Sequence, residues 1–117
     1  MPILLTERPA LSVGDVELVA INFTDHLNVG EIIDSMSVEE LESDDLTITN
    51  LIINPDSYIE FETEQVVEPF HAACFMLTCL ITGIYKLRVT VDTLPQTTTK
   101  YTPISRQFVR DIWIQFI

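Results

Sequence analysis

The sequence predicts an all-β protein, a sandwich or small barrel built from one domain of about seven short strands. Three observations predict it. Apolar residues recur mainly with a period of two, turn-type segments separate the apolar runs, and a helical period is almost absent. At 117 residues the chain is long enough for one core without metal or disulfide staples. With 47% hydrophobic residues, it is too apolar to be disordered.

The strands are read in order. In "DVELVAINF" (residues 15–23), Val19, Ile21 and Phe23 share a face. In "GEIIDSMSVEE" (30–40), Ile32, Met36 and Val38 lie opposite Ser35, Ser37 and Glu39. "LTITNLIIN" (46–54) alternates from Leu46 to Thr49 and then becomes apolar on both sides. "SYIEFE" (57–62) is a short strand. "AACFMLTCLI" (72–81) is apolar on both faces, as suits the centre of a sheet covered on both sides. "GIYKLRVTVDT" (83–93) alternates most cleanly, with Tyr85, Leu87, Val89 and Val91 on one face and Lys86, Arg88, Thr90 and Asp92 on the other. "FVRDIWIQFI" (108–117) closes the chain with Phe108, Ile112, Ile114 and Phe116 on one side. Ile104, Phe108, Ile112 and Phe116 also fit a helical spacing of four, but the β-branched and aromatic content of 109–117 favours a strand. "TDHLNVG", "EELESDD", "NPDS", "ITG" and "TLPQTTTKYTP" supply the turns, and "EELESDD" could instead form one helical turn.

Composition narrows the function classes. The net charge is −12, and the six Lys and Arg residues are scattered, so nucleic-acid binding is not expected. The acidity suits either a basic partner surface or solubility alone. The apolar run 72–85 is too short to span a bilayer, and the N-terminus lacks the basic start and long apolar stretch of a signal peptide. A soluble protein made in the cytoplasm is expected, with no membrane partner. Cys74 and Cys79 are an odd number of positions apart, so on one strand they face opposite ways and cannot bridge. They read as small buried hydrophobes, and no zinc spacing or cofactor motif is present.

The stretch "GIYKLRV" resembles the penultimate strand of immunoglobulin-like sandwiches, where a small residue precedes a Tyr and alternating inward apolar residues follow. Gly83, Tyr85, Leu87 and Val89 carry the likeness. It implies that the Tyr85 ring packs in the core and its hydroxyl bonds back to the backbone. Antibody domains place a Cys where Leu87 stands, so the resemblance implies the disulfide-free version, in keeping with a cytosolic origin.

A wider likeness joins residues 11–38 to the later strands. Phe23, Thr24, Asp25, Leu27, Gly30, Glu31, Ile33 and Ser35, then Phe75, Leu77, Gly83, Tyr85, Val89, Val91, Thr93, Arg106, Phe108 and Ile112, follow a recurring order. In that order the chain resembles small Ig-like virion proteins of tailed bacteriophages, described as fibre or fibre–tail adaptor proteins. It departs from them in a longer middle, residues 54–74, and in "CLITG" where the family has a Gly-Gly turn. The resemblance implies a structural virion protein, an adaptor joining neck or tail to fibres. Its partners would be portal, neck, tail, fibre or capsid subunits, and it would form a symmetric homo-oligomer in the particle. A capsid decoration or cement protein is the alternative within that class. A ligand- or glycan-binding sandwich is the alternative outside it, although one Trp and three Tyr supply few aromatics for such a site.

The candidate sites point to contact rather than chemistry. His26 lies beside Asp25, but neighbouring strand residues diverge and no nucleophile has recognisable flanks, so no enzyme is expected. His71, after Pro69 and Phe70, reads as a hydrogen-bonded, partly buried histidine. Thr24 and Asp25 are expected to accept backbone N–H bonds at a turn, with Gly30 at positive φ. Glu39, Glu40, Glu42, Asp44 and Asp45 lack the spacing of a calcium loop. They read as a solvated hairpin tip, with Glu42, Asp44 and Asp45 available to a basic patch on a neighbour. Thr97, Thr98 and Tyr101 lie in a polar loop expected to stand away from the sheets. Ile3, Leu4 and Leu5 belong to an N-terminal arm or edge segment, residues 1–12, preceding the sandwich of residues 13–117. Trp113 shares an apolar outer face with Val109 and Ile117, which is either covered by "PILL" or a subunit contact.

Overall fold

A computed structural model describes residues 10–60, 63–94 and 105–117. Eight strands are present among them: β1 Glu17–Asn22, β2 Ile33–Leu41, β3 Leu46–Ile53, β4 Tyr58–Ile59, β5 Val66–Val67, β6 Ala72–Cys79, β7 Gly83–Thr93 and β8 Gln107–Phe116. Each of the seven apolar runs forms a strand, and β5 is an addition that the sequence pattern does not signal. The only helical element among the described residues is one 3-10 turn, Thr24–His26.

All strand pairings are antiparallel. One sheet runs β1-β6-β3, a second runs β2-β7-β8, and β4-β5 forms a separate two-stranded ribbon. The two larger sheets bury their facing sides in one core. β1 contributes Val19 and Ile21, β6 contributes Ala73, Phe75, Leu77 and Cys79, β7 contributes Tyr85, Leu87, Val89 and Val91, and β8 contributes Ile112, Ile114 and Phe116. Alternation makes this possible, because every second side chain of a strand points to the same face. β6 and β7 are the central strands, and each is hydrogen-bonded on both sides. The last run is therefore a strand rather than a helix, with Phe108 packed against the core and Trp113 facing out.

The chain passes from β6 to β7, and so from one sheet to the other, through residues 80–82. Tyr85 controls that crossing. Its ring is buried and meets Phe116 edge-on at 6.1 Å, while its hydroxyl donates to the Ile81 carbonyl at 2.7 Å. Gly83 lies flat beside this ring. A Cβ there would sit 3.4 Å from the phenol oxygen, and its φ of 157° suits few side chains. The core position and back-bonded hydroxyl expected of Tyr85 are both present.

One expectation about facing is corrected, by a bulge on an edge strand, and a second edge strand is bulged as well. On β2 the buried residue is Ile33, with Met36 and Val38 partly buried. The pairing slips between Ile33 and Ser35, so the odd-numbered Ile33 and the even-numbered Met36 and Val38 all turn inward. Ile32 is displaced from the face predicted for it. On β3 the register slips between Thr49 and Ile52, where Asn50 adopts a φ of 53°. Leu46, Ile48 and Ile53 then pack on the core, while Leu51 and Ile52, in the stretch that is apolar on both sides, stay exposed. Irregular edge strands of this kind resist pairing with another chain.

The long middle of the sequence has a place. Tyr58 and Val67 of the ribbon pair with each other and pack on Ala72 and Cys74, the outward-facing side chains at the start of β6. This is why β6 is apolar on both faces. Cys79 faces the main core, Cys74 faces the ribbon, and both thiols are free. The core also includes Leu11. Its N–H bonds to the Gln115 carbonyl at 2.8 Å, the Ile117 N–H bonds back to it at 2.7 Å, and the Val13 N–H bonds to the Ile117 carbonyl at 2.9 Å. Leu11 thus adds a parallel bridge to the outer edge of β8. Ile3, Leu4, Leu5 and the rest of "PILL" lie outside the described residues, as do Thr97, Thr98 and Tyr101.

Replacing Tyr85 by Phe removes the bond to Ile81 and should cost about 1 kcal/mol. Replacing it by Ala also empties its place beside Phe116 and should cost about 3–5 kcal/mol. Urea unfolding midpoints check both, and an unchanged midpoint for Tyr85→Phe would show that the crossing does not depend on the phenol.

Candidate partner-contact surfaces

Where β2 begins and β8 begins, a charged pair is set into the structure. Glu31 is 1% exposed. The Arg106 guanidinium forks onto it, with Nε donating to Oε2 at 2.8 Å and Nη2 donating to Oε1. Nη2 also donates to the His26 carbonyl at 2.8 Å, and the Asn28 N–H donates to Oε1 at 2.9 Å. Arg106 is fixed by its own backbone: its N–H donates to Thr93 Oγ1 and its carbonyl accepts the Thr93 N–H, both at 2.9 Å. The pair therefore joins the 24–31 turn to the base of the 95–104 connection. A buried carboxylate is tolerated because all this hydrogen bonding compensates its lost hydration. The same hydrogen bonds, led by those from Arg106, hold the Glu31 carboxyl down at about 2.

Aromatic rings extend this corner. The Arg106 guanidinium lies 4.7 Å from the Phe108 ring centre, and the His26 ring stacks on Phe108 at 5.4 Å. His26 is thus held by an aromatic neighbour, in an exposed position. His71 is partly buried, with Nδ1 3.4 Å from the Thr24 hydroxyl, in line with expectation. The turn itself is capped differently from expectation. Its Thr24 N–H is accepted by Asn22 Oδ1 at 2.9 Å, and the Thr24 hydroxyl donates to the same atom. Asn22 precedes the turn and can reach back over it as an Asx turn does, so it takes the role assigned to Thr24 and Asp25. Gly30 has the anticipated positive φ, 81°.

The outer face of β7 and β8 presents a second surface. Register places Arg88 opposite Asp111 and Lys86 opposite Trp113. Arg88 grips Asp111 with two bonds, Nε to Oδ1 at 2.8 Å and Nη2 to Oδ2 at 3.0 Å. Lys86 Nζ lies 3.8 Å from Asp111 Oδ2 and 5.1 Å from the Trp113 ring centre. Arg88 and then Lys86 hold the Asp111 carboxyl below its usual range. Exposed ion pairs contribute little stability, but these order the long side chains around Trp113, which is 36% exposed. Val109, Ile84 and Ile117 are more than half exposed.

The acidic run lies at the β2–β3 turn. Glu42 has a φ of 76°. Glu40 gathers the turn around its carboxylate, accepting the Ser43 hydroxyl, the Asp45 N–H at 3.1 Å and the Leu46 N–H at 3.0 Å. Glu42, Asp44 and Asp45 are exposed as expected, but the run is not a hairpin tip: β2 pairs with β7 and β3 pairs with β6, so it links the two large sheets. Among the described residues, no group of three or more His, Cys, Asp and Glu is placed to hold a metal ion.

Sequence reasoning placed Gly83, Tyr85, Leu87 and Val89 in the framework and left the Trp113 face as either covered by "PILL" or a subunit contact; "PILL" lies outside the described residues. Glu31 and Arg106 stand in the sequence only as two positions of the resemblance, and nothing linear joins residues 75 apart. In the sequence Asn54 reads as part of a turn, whereas Asn54 is 4% exposed and ties that turn to β6. The Asn-Pro-Asp order was the available signal. No protein-family model matches the chain, and no curated protein or solved structure is significantly similar to it.

The Glu31 pair predicts a pH dependence. Folding lowers this carboxyl from 4.5 to about 2. Its contribution is therefore complete above pH 4.5 and lost as pH falls toward 2, where the folded form takes up the proton. Glu31→Gln should lower stability at neutral pH by about 2 kcal/mol, less than for a fully buried pair because Arg106 is partly solvated. The gap from the parent protein should shrink between pH 4.5 and 2 in urea titrations. A gap that stays constant with pH would contradict this.

Proposed function

We propose that this chain is a non-enzymatic structural subunit of a tailed-bacteriophage particle, an Ig-like sandwich acting as an adaptor in the tail or head-to-tail region. The strand orders β1-β6-β3 and β2-β7-β8, with the Tyr85 hydroxyl returned to Ile81, support the Ig-like reading. Three of the positions that carry the phage resemblance also meet in space. Glu31, Arg106 and Phe108 meet at one corner of the fold, beside Gly30. The assignment to a phage particle rests on that resemblance.

One observation carries the contact role: Trp113 stands on the outer face of β8, ordered by Lys86 and edged by exposed apolar side chains. Trp and Arg dominate the energetics of many protein interfaces. A face of this size gives a weak contact in a single copy. Repetition around a symmetric ring converts many weak contacts into a stable joint through effective concentration. The same observation argues against a sugar site, because a sugar stacks on an aromatic face and Lys86 lies over this ring.

Trp113→Ala should cost about 1 kcal/mol of stability, through lost cross-strand packing with Lys86, leave the protein folded, and strongly reduce incorporation into particles. Reconstruction of the particle that carries the chain should find it in a ring at the portal vertex or tail. Copies spread over the shell would make it a cement protein instead. Full incorporation of Trp113→Ala would remove this face from the contact, and binding of the isolated chain to a glycan array would overturn the virion reading.

A further inference from the structure

We propose that the β4-β5 ribbon is a strap that opens independently of the two large sheets, unmasking the Cys74 thiol while the main core stays closed. The ribbon is short. Its ladder consists of Tyr58 opposite Val67 and Ile59 opposite Val66. Tyr58 and Val67 face β6, whereas Ile59 and Val66 are mostly exposed. An isolated two-stranded ribbon is marginal in water, so this one depends on its seat over Ala72 and Cys74.

That seat is imperfect. The Tyr58 hydroxyl is buried without a hydrogen-bond partner among the described residues. An unsatisfied buried hydroxyl opposes closure, because opening returns it to water. Burial also pushes the Tyr58 phenol up to about 12 and raises the Cys74 thiol, as expected of groups cut off from solvent. At the return into β6, Phe70 holds a φ of 64°, which is strained for a bulky side chain.

One side chain fastens the strap. The Asn54 carboxamide donates to the Asp56 carbonyl at 3.0 Å and the Glu68 carbonyl at 2.8 Å, gathering the two ends of the ribbon segment. Its oxygen accepts the His71 and Ala72 N–H groups at 3.0 and 2.8 Å, fixing those ends to β6. Four bonds use the whole capacity of a carboxamide. The ribbon thus has a strong base, a weak ladder and a strained return, features of a segment that opens below the global unfolding free energy. Cys74 lies under the strap and Cys79 lies in the main core, so the two thiols report the two openings separately.

The test is pulse labelling of the intact protein with N-ethylmaleimide, read at each cysteine by mass spectrometry across low urea concentrations. Cys74 should label at least about tenfold faster than Cys79, with little urea dependence, the two rates converging only near the global transition. Tyr58→Phe, which removes the unpartnered hydroxyl, should slow Cys74 severalfold and leave Cys79 unchanged. Asn54→Ala should accelerate Cys74 more than Cys79. Equal rates with the same urea dependence would overturn the proposal, since one global opening would then expose both thiols. Labelling of Cys74 as fast as in the unfolded chain would also overturn it, because no strap would be masking the thiol. A Tyr58→Phe protein that labels like the parent would remove the buried hydroxyl as the cause.

Discussion

The structure depends on how the chain crosses from one sheet to the other between β6 and β7. These two strands are the centres of their sheets, and only residues 80–82 separate them. So short a link must turn sharply without leaving its carbonyl groups buried and unpaired. The Tyr85 hydroxyl meets that requirement at Ile81, and the same ring fills the core beside Phe116. With the crossing fixed, Phe75 and Leu77 on one strand face the same interior as Leu87 and Val89 on the other. The remaining strands then add by ordinary antiparallel pairing, β1 and β3 to β6, and β2 and β8 to β7.

The two outer faces solve different problems. On the β6 side, the ribbon covers Ala72 and Cys74, and a single carboxamide, Asn54, anchors it. On the β7 side, charged residues mix with exposed Ile84, Val109 and Ile117, and Arg88 and Lys86 share the Asp111 carboxylate beside Trp113. In a chain with a net charge of −12, this patch adjoins the acidic end of β2, where Glu39 lies opposite Arg88 and Leu41 opposite Lys86, just before the exposed Glu42, Asp44 and Asp45.

Legibility varied with the range of the interaction. Tyr85 was readable because its neighbours Gly83, Leu87 and Val89 announce a strand with one buried face. Trp113 was readable as outward-facing from its offset to Ile112 and Ile114. Ile33 was not, because the extra residue at the β2 bulge reverses the phase and periodicity carries no mark of it. Asn54 looked like a turn former, which it is, but its four bonds reach residues up to 18 positions away. Glu31 and Arg106 were visible as residues and invisible as a pair.

The sequence by itself determined the all-β class, the positions of seven strands, the inward face of β7 and the opposite facing of the two cysteines. These follow from alternation, which is local and is fixed by the geometry of an extended chain. Tertiary structure decided which strands became neighbours, where the edge strands slipped, how the middle segment folded over β6, and that Glu31 would meet Arg106. Those outcomes depend on side chains far apart in sequence competing for the same buried space and the same hydrogen-bond partners, and a linear pattern contains no measure of that competition.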